Sequence, residues 1–263
     1  LAIRDIDAEI IVVDNESKEE QIQSIESEFK EVVFIKNQDN KGFSKANNQA
    51  IQICRGSNVL FLNPDTIIPP NALIECLNYL SIHDRVGALG VQMVNKNGLF
   101  LSESKRSFPE PIPAFFKLIG LAKLFPNSRF YNYYALGQLN KNQIHQVDVL
   151  AGAFLMVRSG LIKELQGFDE RFFMYGEDID LSKRITNKGF ENHYLGNIII
   201  QHFKGMSTNK KSLHFVEHFY GSMELFVKKY YPKNTKWFQQ AVLIIGINIA
   251  RNLALIKNLF YRF

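Results

Sequence analysis

The chain predicts an α/β protein whose mostly parallel sheet is flanked by helices. Short apolar runs alternate with helical patterns through its first half, and each run ends in polar side chains. A composition of 46% hydrophobic and 22% charged residues is that of a packed globular protein.

The elements follow in order. Glu9-Ile10-Ile11-Val12-Val13 reads as a buried strand, Glu19 to Phe29 as a helix, and Val32-Val33-Phe34-Ile35 as a second strand. Ser44 to Ile53 is helical, Asn58 to Leu62 is a third strand, and Asn71 to Leu80 is a helix entered through Pro69 and Pro70. In such a sheet ligands bind beyond the carboxyl ends of the strands. The residues at those ends are Asp14-Asn15, Asn37 to Gly42, and Asn63-Pro64-Asp65-Thr66.

The second half reads as a hairpin near Val91 to Leu101, a Pro- and aromatic-rich stretch from Phe108 to Tyr134, and an apolar strand from Val147 to Val157. A helix follows from about Glu177 to Lys188, then two strands, Asn192 to Leu195 and Ile198 to Ile200. The division expected is one domain over residues 1–231 and a basic amphipathic helix over 232–263.

Several functional classes drop out. Cys54 and Cys76 form no C-x-x-C pair and have no histidine-rich neighbourhood, which argues against zinc or a disulfide framework and fits a reducing cytoplasm. Leu1 to Asp5 is too short and too charged for a signal peptide, and the absence of an initiator Met suggests a start inside a longer protein. Of 31 Lys and Arg, seven lie between Leu225 and Phe263, where there is no Asp or Glu; the remaining 24 face 26 acidic residues. The positive charge belongs to the tail, so nucleic acid is not the expected partner. G-x-G-x-x-G is absent, which disfavours a dinucleotide enzyme.

The polar clusters carry the chemistry. Asp14 suits either the imino N–H of a pyrimidine base or a cap on the following helix. Asn40-Lys41-Gly42-Phe43-Ser44-Lys45-Ala46-Asn47-Asn48 brings a permissive glycine, two cations and amides to a helix start, where a diphosphate is favoured; an ordinary turn is the competing reading. Asp65, directly after a strand, can hold a hard divalent cation that takes its other ligands from phosphate and water, or can simply close an Asx turn. Glu177, Asp178 and Asp180 open a helix, where acids complement the dipole. About 100° of rotation separates Glu177 from Asp178, so the two need not share a task, and the approach Phe172-Phe173-Met174-Tyr175 offers an apolar wall that would raise a carboxylate pKa. His202 follows a strand and can complete a metal site.

Together these segments resemble the inverting family 2 glycosyltransferases, in particular the rhamnosyltransferase-like branch of bacterial surface polysaccharide synthesis. The likeness rests on Ile11 to Asn15, Asn40 to Asn48, Leu62 to Thr66 and above all Gly167 to Leu181, and runs in order from about residue 9 to about residue 231. It implies a GT-A-like, Rossmann-like fold, a nucleotide-diphosphate sugar donor, a lipid-linked oligosaccharide acceptor and a divalent cation, Mg2+ or Mn2+. By the same resemblance Asp178 is the catalytic base, with Glu177 in support. Asp14, Asn15, Asn40, Lys41, Gly42, Asn47, Asn63 and Asp65 bind the donor nucleotide, and Asp65 and His202 hold the metal. Arg106, Gly152 and Lys204 are candidates for the diphosphate or the acceptor. Two departures stand out: the first position of the usual two-aspartate metal motif is Asn63, and the strand and helix that open the family ahead of Asp14 are almost wholly absent, so the first strand of the sheet is expected to be missing.

Trp237 to Ala250 is a fourteen-residue stretch without a charge, short for a span, and basic residues flank it on both sides. It is expected to lie on the inner face of a bacterial membrane, with packing on the domain or on another subunit of a homo-oligomer as the competing reading. Pro113 to Phe125 is a second apolar, lysine-dotted segment, suited to the interface or to a lid over the donor. Two other classes stay in competition with the enzyme. One is a silent sugar-nucleotide-binding scaffold, favoured by the truncation and by Asn63. The other is a nucleotidyltransferase, which the downstream motifs disfavour.

Overall fold

The computed structural model describes residues 3, 6–17, 19–110, 124–125, 127–203, 213–231 and 233–260. Lys204 and almost all of the Pro113 to Phe125 segment lie outside them.

Strands β1 (Ile11–Asn15) and β2 (Val33–Asn37) pair in parallel around helix α1 (Glu19–Glu28), and α2 (Gly42–Ile53) follows. β3 (Asn58–Leu62), β4 (Thr66–Ile67) and α3 (Ala72–Ile82) lead to β5 (Val86–Val94). All nine residues of β5 are buried, as in a strand covered on both faces. The chain continues through β6 (Lys105–Arg106), β7 (Ile144–Val147), β8 (Val149–Leu150), β9 (Phe154–Arg158) and α4 (Ser159–Glu164). Then come α5 (Glu177–Asn187), β10 (Glu191–His202), α6 (Leu213–Tyr230) and α7 (Lys233–Phe260).

The main sheet runs β3-β9-β5-β10-β4, with β7 on β10. β5 and β10 are parallel, whereas β9 runs antiparallel to both β3 and β5, so the sheet is mixed. Core side chains fill both faces. Leu73, Cys76 and Leu80 of α3 pack on one; Leu161, Ile162, Leu181 and Ile185 of α4 and α5 pack on the other.

Three expectations are corrected. The apolar run from Val147 to Val157 is broken into β7, β8 and β9, because β8 leaves the sheet edge to pair with β6. The two strands at Asn192 to Leu195 and Ile198 to Ile200 are one strand, β10, with a register shift between Leu195 and Ile199 that lets it bend while still following β5. The apolar part of α7 exceeds fourteen residues: Trp237–Ile256 forms a twenty-residue window of mean hydropathy 1.4, long and apolar enough to cross a membrane, with Arg251 as its one charge.

Among the described residues β1 pairs only with β2, and β3 only with β9. The edges of β1 and β3 left open by this pairing line one cleft of about 2210 Å³.

Candidate functional site

The same cleft runs beyond the sheet to the polar clusters. Asn15, Asn47, Asn63 and Asp65 line it, as do Arg106, Gly152, Glu177, Asp178 and His202.

The end of β1 is tied to the start of α2 by amides. Asn37 Nδ2 donates to Asn15 Oδ1 at 2.9 Å and exchanges hydrogen bonds with Gln49, while Asn15 Nδ2 donates to the Gly42 carbonyl at 3.2 Å. Gly42 has φ +80°, and its N–H donates to Asn40 Oδ1 at 3.0 Å. A Cβ there would fall 2.4 Å from the Phe173 carbonyl, which already accepts the Phe43 N–H at 2.7 Å. Glycine is therefore required by close approach as well as by φ. Asn47 donates back to the Phe43 carbonyl within α2, and Lys41 turns outward to Asp39 at 2.8 Å. Asp14 is buried and accepts the Ser17 N–H at 3.1 Å, so its carboxylate closes the turn after β1.

The ends of β3 and β10 meet at β4. Asn63 N–H donates to Ala153, Thr66 Oγ1 to the Asn63 carbonyl, and the Phe203 N–H to the Asp65 carbonyl. This places Asp65 Oδ1 3.2 Å from His202 Nε2, with Asn63 Nδ2 3.5 Å from the same nitrogen. Among the described residues no three His, Cys, Asp or Glu side chains gather as a metal site. A carboxylate and an imidazole at this spacing do fit two adjacent ligands of an octahedral ion with ~2.1 Å bonds, provided its remaining ligands are phosphate and water.

The two carboxylates at the start of α5 have different surroundings, as their rotation about the helix requires. Asp178 Oδ1 accepts the Ile179 N–H at 2.8 Å; its Oδ2 accepts from Arg106 Nη2 at 2.5 Å and from the Gly152 N–H at 3.3 Å. Arg106 reaches it from β6, where the same nitrogen also donates to the Leu150 carbonyl. Glu177 is buried and its Oε2 has no hydrogen-bond partner. Burial first, then the neighbouring Asp178 charge, pushes its carboxyl up to about 8. Next to Arg106, Lys105 is buried and donates to the Leu136 carbonyl, and burial lowers its ammonium to about 8.

Three features escaped the sequence reading. Asp180, the third acid of the cluster, is fully buried and binds Arg184, Lys229 and the Tyr230 hydroxyl, which pins α5 to α6; only Arg184, four residues on, was a visible signal. Asn48 holds both backbone groups of Phe168, donating at 2.9 Å and accepting at 2.8 Å across 120 residues. His214 and His218 set their Nε2 atoms 3.1 Å apart, with His218 stacked on Phe173.

The family profile described as Glycosyl transferase family 2 matches residues 2–164. The chain is 30% identical over 152 residues to N-acetylglucosaminyl-diphospho-decaprenol L-rhamnosyltransferase of Mycobacterium tuberculosis, covering 58% of this chain and 48% of that protein. It is 30% identical over 169 residues to rhamnosyltransferase WbbL of Escherichia coli K12, covering 59% and 58%. The chain thus spans about half the length of these relatives. Among solved structures, that of GalNAc-T7 with UDP, GalNAc and Mn2+ superposes with a TM-score of 0.60 at 14% identity, over 86% of this chain and 42% of the other, and shares its fold.

Proposed function

The chain belongs to glycosyl transferase family 2, and from that premise we propose that it transfers a sugar from a nucleotide-diphosphate donor to a hydroxyl of a lipid-linked glycan. Rhamnose carried on thymidine diphosphate is the donor favoured, since two relatives are rhamnosyltransferases, one of them named for a decaprenol-linked acceptor. The observation that carries this reading is that Asp65 and His202 line the same cleft as Glu177 and Asp178.

In the proposed reaction Asp178 accepts the proton of the acceptor hydroxyl while that oxygen bonds to the anomeric carbon. The bond from that carbon to the diphosphate oxygen breaks on the opposite face, the nucleoside diphosphate leaves with the electron pair, and the configuration inverts. Arg106 and the Gly152 N–H orient Asp178 through the bonds described above. Glu177 keeps its proton at neutral pH and offers it to the acceptor or to the developing charge. Asn15, Asn40, Gly42 and Asn47 shape the nucleotide end, beside Asp14 and Lys41. Asp65 and His202 would hold the divalent cation, Mg2+ or Mn2+, which supplies charge neutralisation for the departing diphosphate.

Two further parts of the reading concern the chain's surroundings. The open edges of β1 and β3 face one cleft, which suits a strand from outside residues 1–263 joining the two sheets; residues 1–231 are then an N-terminally incomplete catalytic domain. The exposed apolar face of α7 and its basic flanks suit attachment to the cytoplasmic face of the membrane.

Calorimetry with uridine, thymidine and guanosine diphosphates, with and without Mn2+, tests the donor site. One nucleotide is expected to bind in a metal-dependent way, and Asp65→Ala is expected to abolish that binding. Metal-independent binding, unaltered in Asp65→Ala, removes Asp65 from the donor site.

A further inference from the structure

The cleft that holds Glu177 and Asp178 is also lined by apolar residues of α6 and α7, which the donor chemistry does not use. Tyr175, immediately before Gly176 and Glu177, has φ +71°, a backbone conformation a tyrosine adopts only when its surroundings impose it. Its ring meets the edges of Phe215 and Phe219 of α6, with centroids 5.3 and 5.7 Å away, while Ser222 Oγ donates to the Met174 carbonyl at 3.0 Å. The loop that delivers Glu177 and Asp178 is thereby fastened to the inner face of α6.

From there the cleft continues along a second helix. Leu243, Gly246, Ile247 and Ala250 of α7 line the same cleft as Asp178 and Arg106. Their spacing of three and four residues puts them on one face, and from Leu243 to Ala250 that face runs about 10 Å along the helix. Gly246 leaves the face hollow, because a Cβ built there meets nothing within 4 Å. The opposite stripe of α7, with Phe238, Ile245 and Ile256 at 64, 59 and 49% exposed, faces outward. A helix apolar on both sides, hollow toward the site and exposed away from it, can border a bilayer and a lipid chain at once.

We propose that the groove between α6 and α7 holds the first part of the aliphatic chain of the acceptor, an isoprenoid-like lipid phosphate, and so fixes where the acceptor's hydroxyl falls beside Asp178. The proposal rests on the lipid-linked acceptor of the preceding reading and adds the place where its lipid binds. The occupant follows from continuity: the groove begins at the groups that handle the acceptor hydroxyl, its walls are hydrocarbon, and it ends on the helix suited to a membrane. An apolar peptide would need partners for its backbone N–H and C=O groups, and these walls of side chains provide few.

The test is calorimetric titration of the full chain with farnesyl phosphate, and with isopentenyl phosphate as the short-chain control. Wild type is expected to bind farnesyl phosphate at least tenfold more tightly than isopentenyl phosphate. Gly246→Leu fills the hollow, improves helix propensity and is expected to erase that tenfold preference, while thymidine diphosphate binding stays unchanged and Tm does not fall. Ile245→Ser on the outer stripe is the control for adsorption to α7 and is expected to keep the preference. The proposal is overturned if wild type shows no chain-length preference, if Gly246→Leu retains it, or if Ile245→Ser removes it equally. Failure of the transferase reading appears separately, as loss of nucleotide binding in wild type.

Discussion

Arg106 Nη2 donates to Asp178 Oδ2 at 2.5 Å, and only 14% and 15% of the two side chains are exposed. A carboxylate held this way has a fixed direction, which general-base catalysis requires before basicity matters. Asp178→Asn keeps the shape and the Gly152 contact but cannot take a proton. Turnover is expected to fall by ~10²–10⁴-fold with donor affinity retained. Steady-state rates beside calorimetric donor binding check this, and an unchanged rate takes the base role away from Asp178. Arg106→Ala leaves a part-buried carboxylate without its cation and is expected to cost about 1–3 kcal/mol in denaturant unfolding.

Glu177 makes stability depend on pH in a direction opposite to that of an ordinary paired acid. Its folded pKa, about 8, lies above the unfolded value near 4.5. Between those values the folded state binds a proton that the unfolded state has released, so stability falls as pH rises from about 4.5 to about 8 and is fully retained below that window. Glu177→Gln removes this slope. Thermal unfolding at pH 5, 7 and 9 is expected to show the variant gaining on wild type at each step; parallel curves would mean that Glu177 titrates normally.

The Gly42 turn links stability to the donor site. Alanine there meets both a positive φ and the Phe173 carbonyl at 2.4 Å, so the loop must move away from Phe173. Gly42→Ala is expected to destabilise by more than ~1 kcal/mol and to weaken nucleotide binding, because Asn15 loses its acceptor on Gly42. Chemical denaturation and nucleotide titration measure the two effects; wild-type values for both would contradict the close-packed turn.

Much of this architecture was readable in advance because it obeys local rules. The helices over α1, α2, α3 and α5 follow apolar periodicity and agree with the structure to within two residues at each end. The cleft-lining positions Asn15, Asn63 and Asp65 follow from their place at strand ends. What periodicity cannot carry is partner choice. A run from Val147 to Val157 that is apolar but for Asp148 looks the same whether it stays in one sheet or, as here, divides so that β8 pairs with β6. Arg106 lay 72 residues from Asp178, and Lys229 lay 49 from Asp180; only the folded chain shows which cation meets which acid.

Helix α7 offers its own reporter, since Trp237 is the only tryptophan in the chain and is 66% exposed at the start of the apolar window. Tryptophan at a membrane interface leaves water for the headgroup region, and its emission shifts to the blue. Lysines and arginines on both sides of the window should make that transfer depend on anionic lipid, at about 1 kcal/mol for each residue near the surface. Vesicles containing phosphatidylglycerol are therefore expected to shift the emission, while phosphatidylcholine vesicles shift it less. Raising salt to about 1 M, where the screening length drops to ~3 Å, is expected to remove most of the difference. Ile245→Lys puts a charge in the exposed stripe without disturbing Trp237, and is expected to weaken binding to both vesicle types. A blue shift that survives this substitution undiminished would mean that Trp237 contacts lipid alone and that α7 does not lie on the membrane along its length.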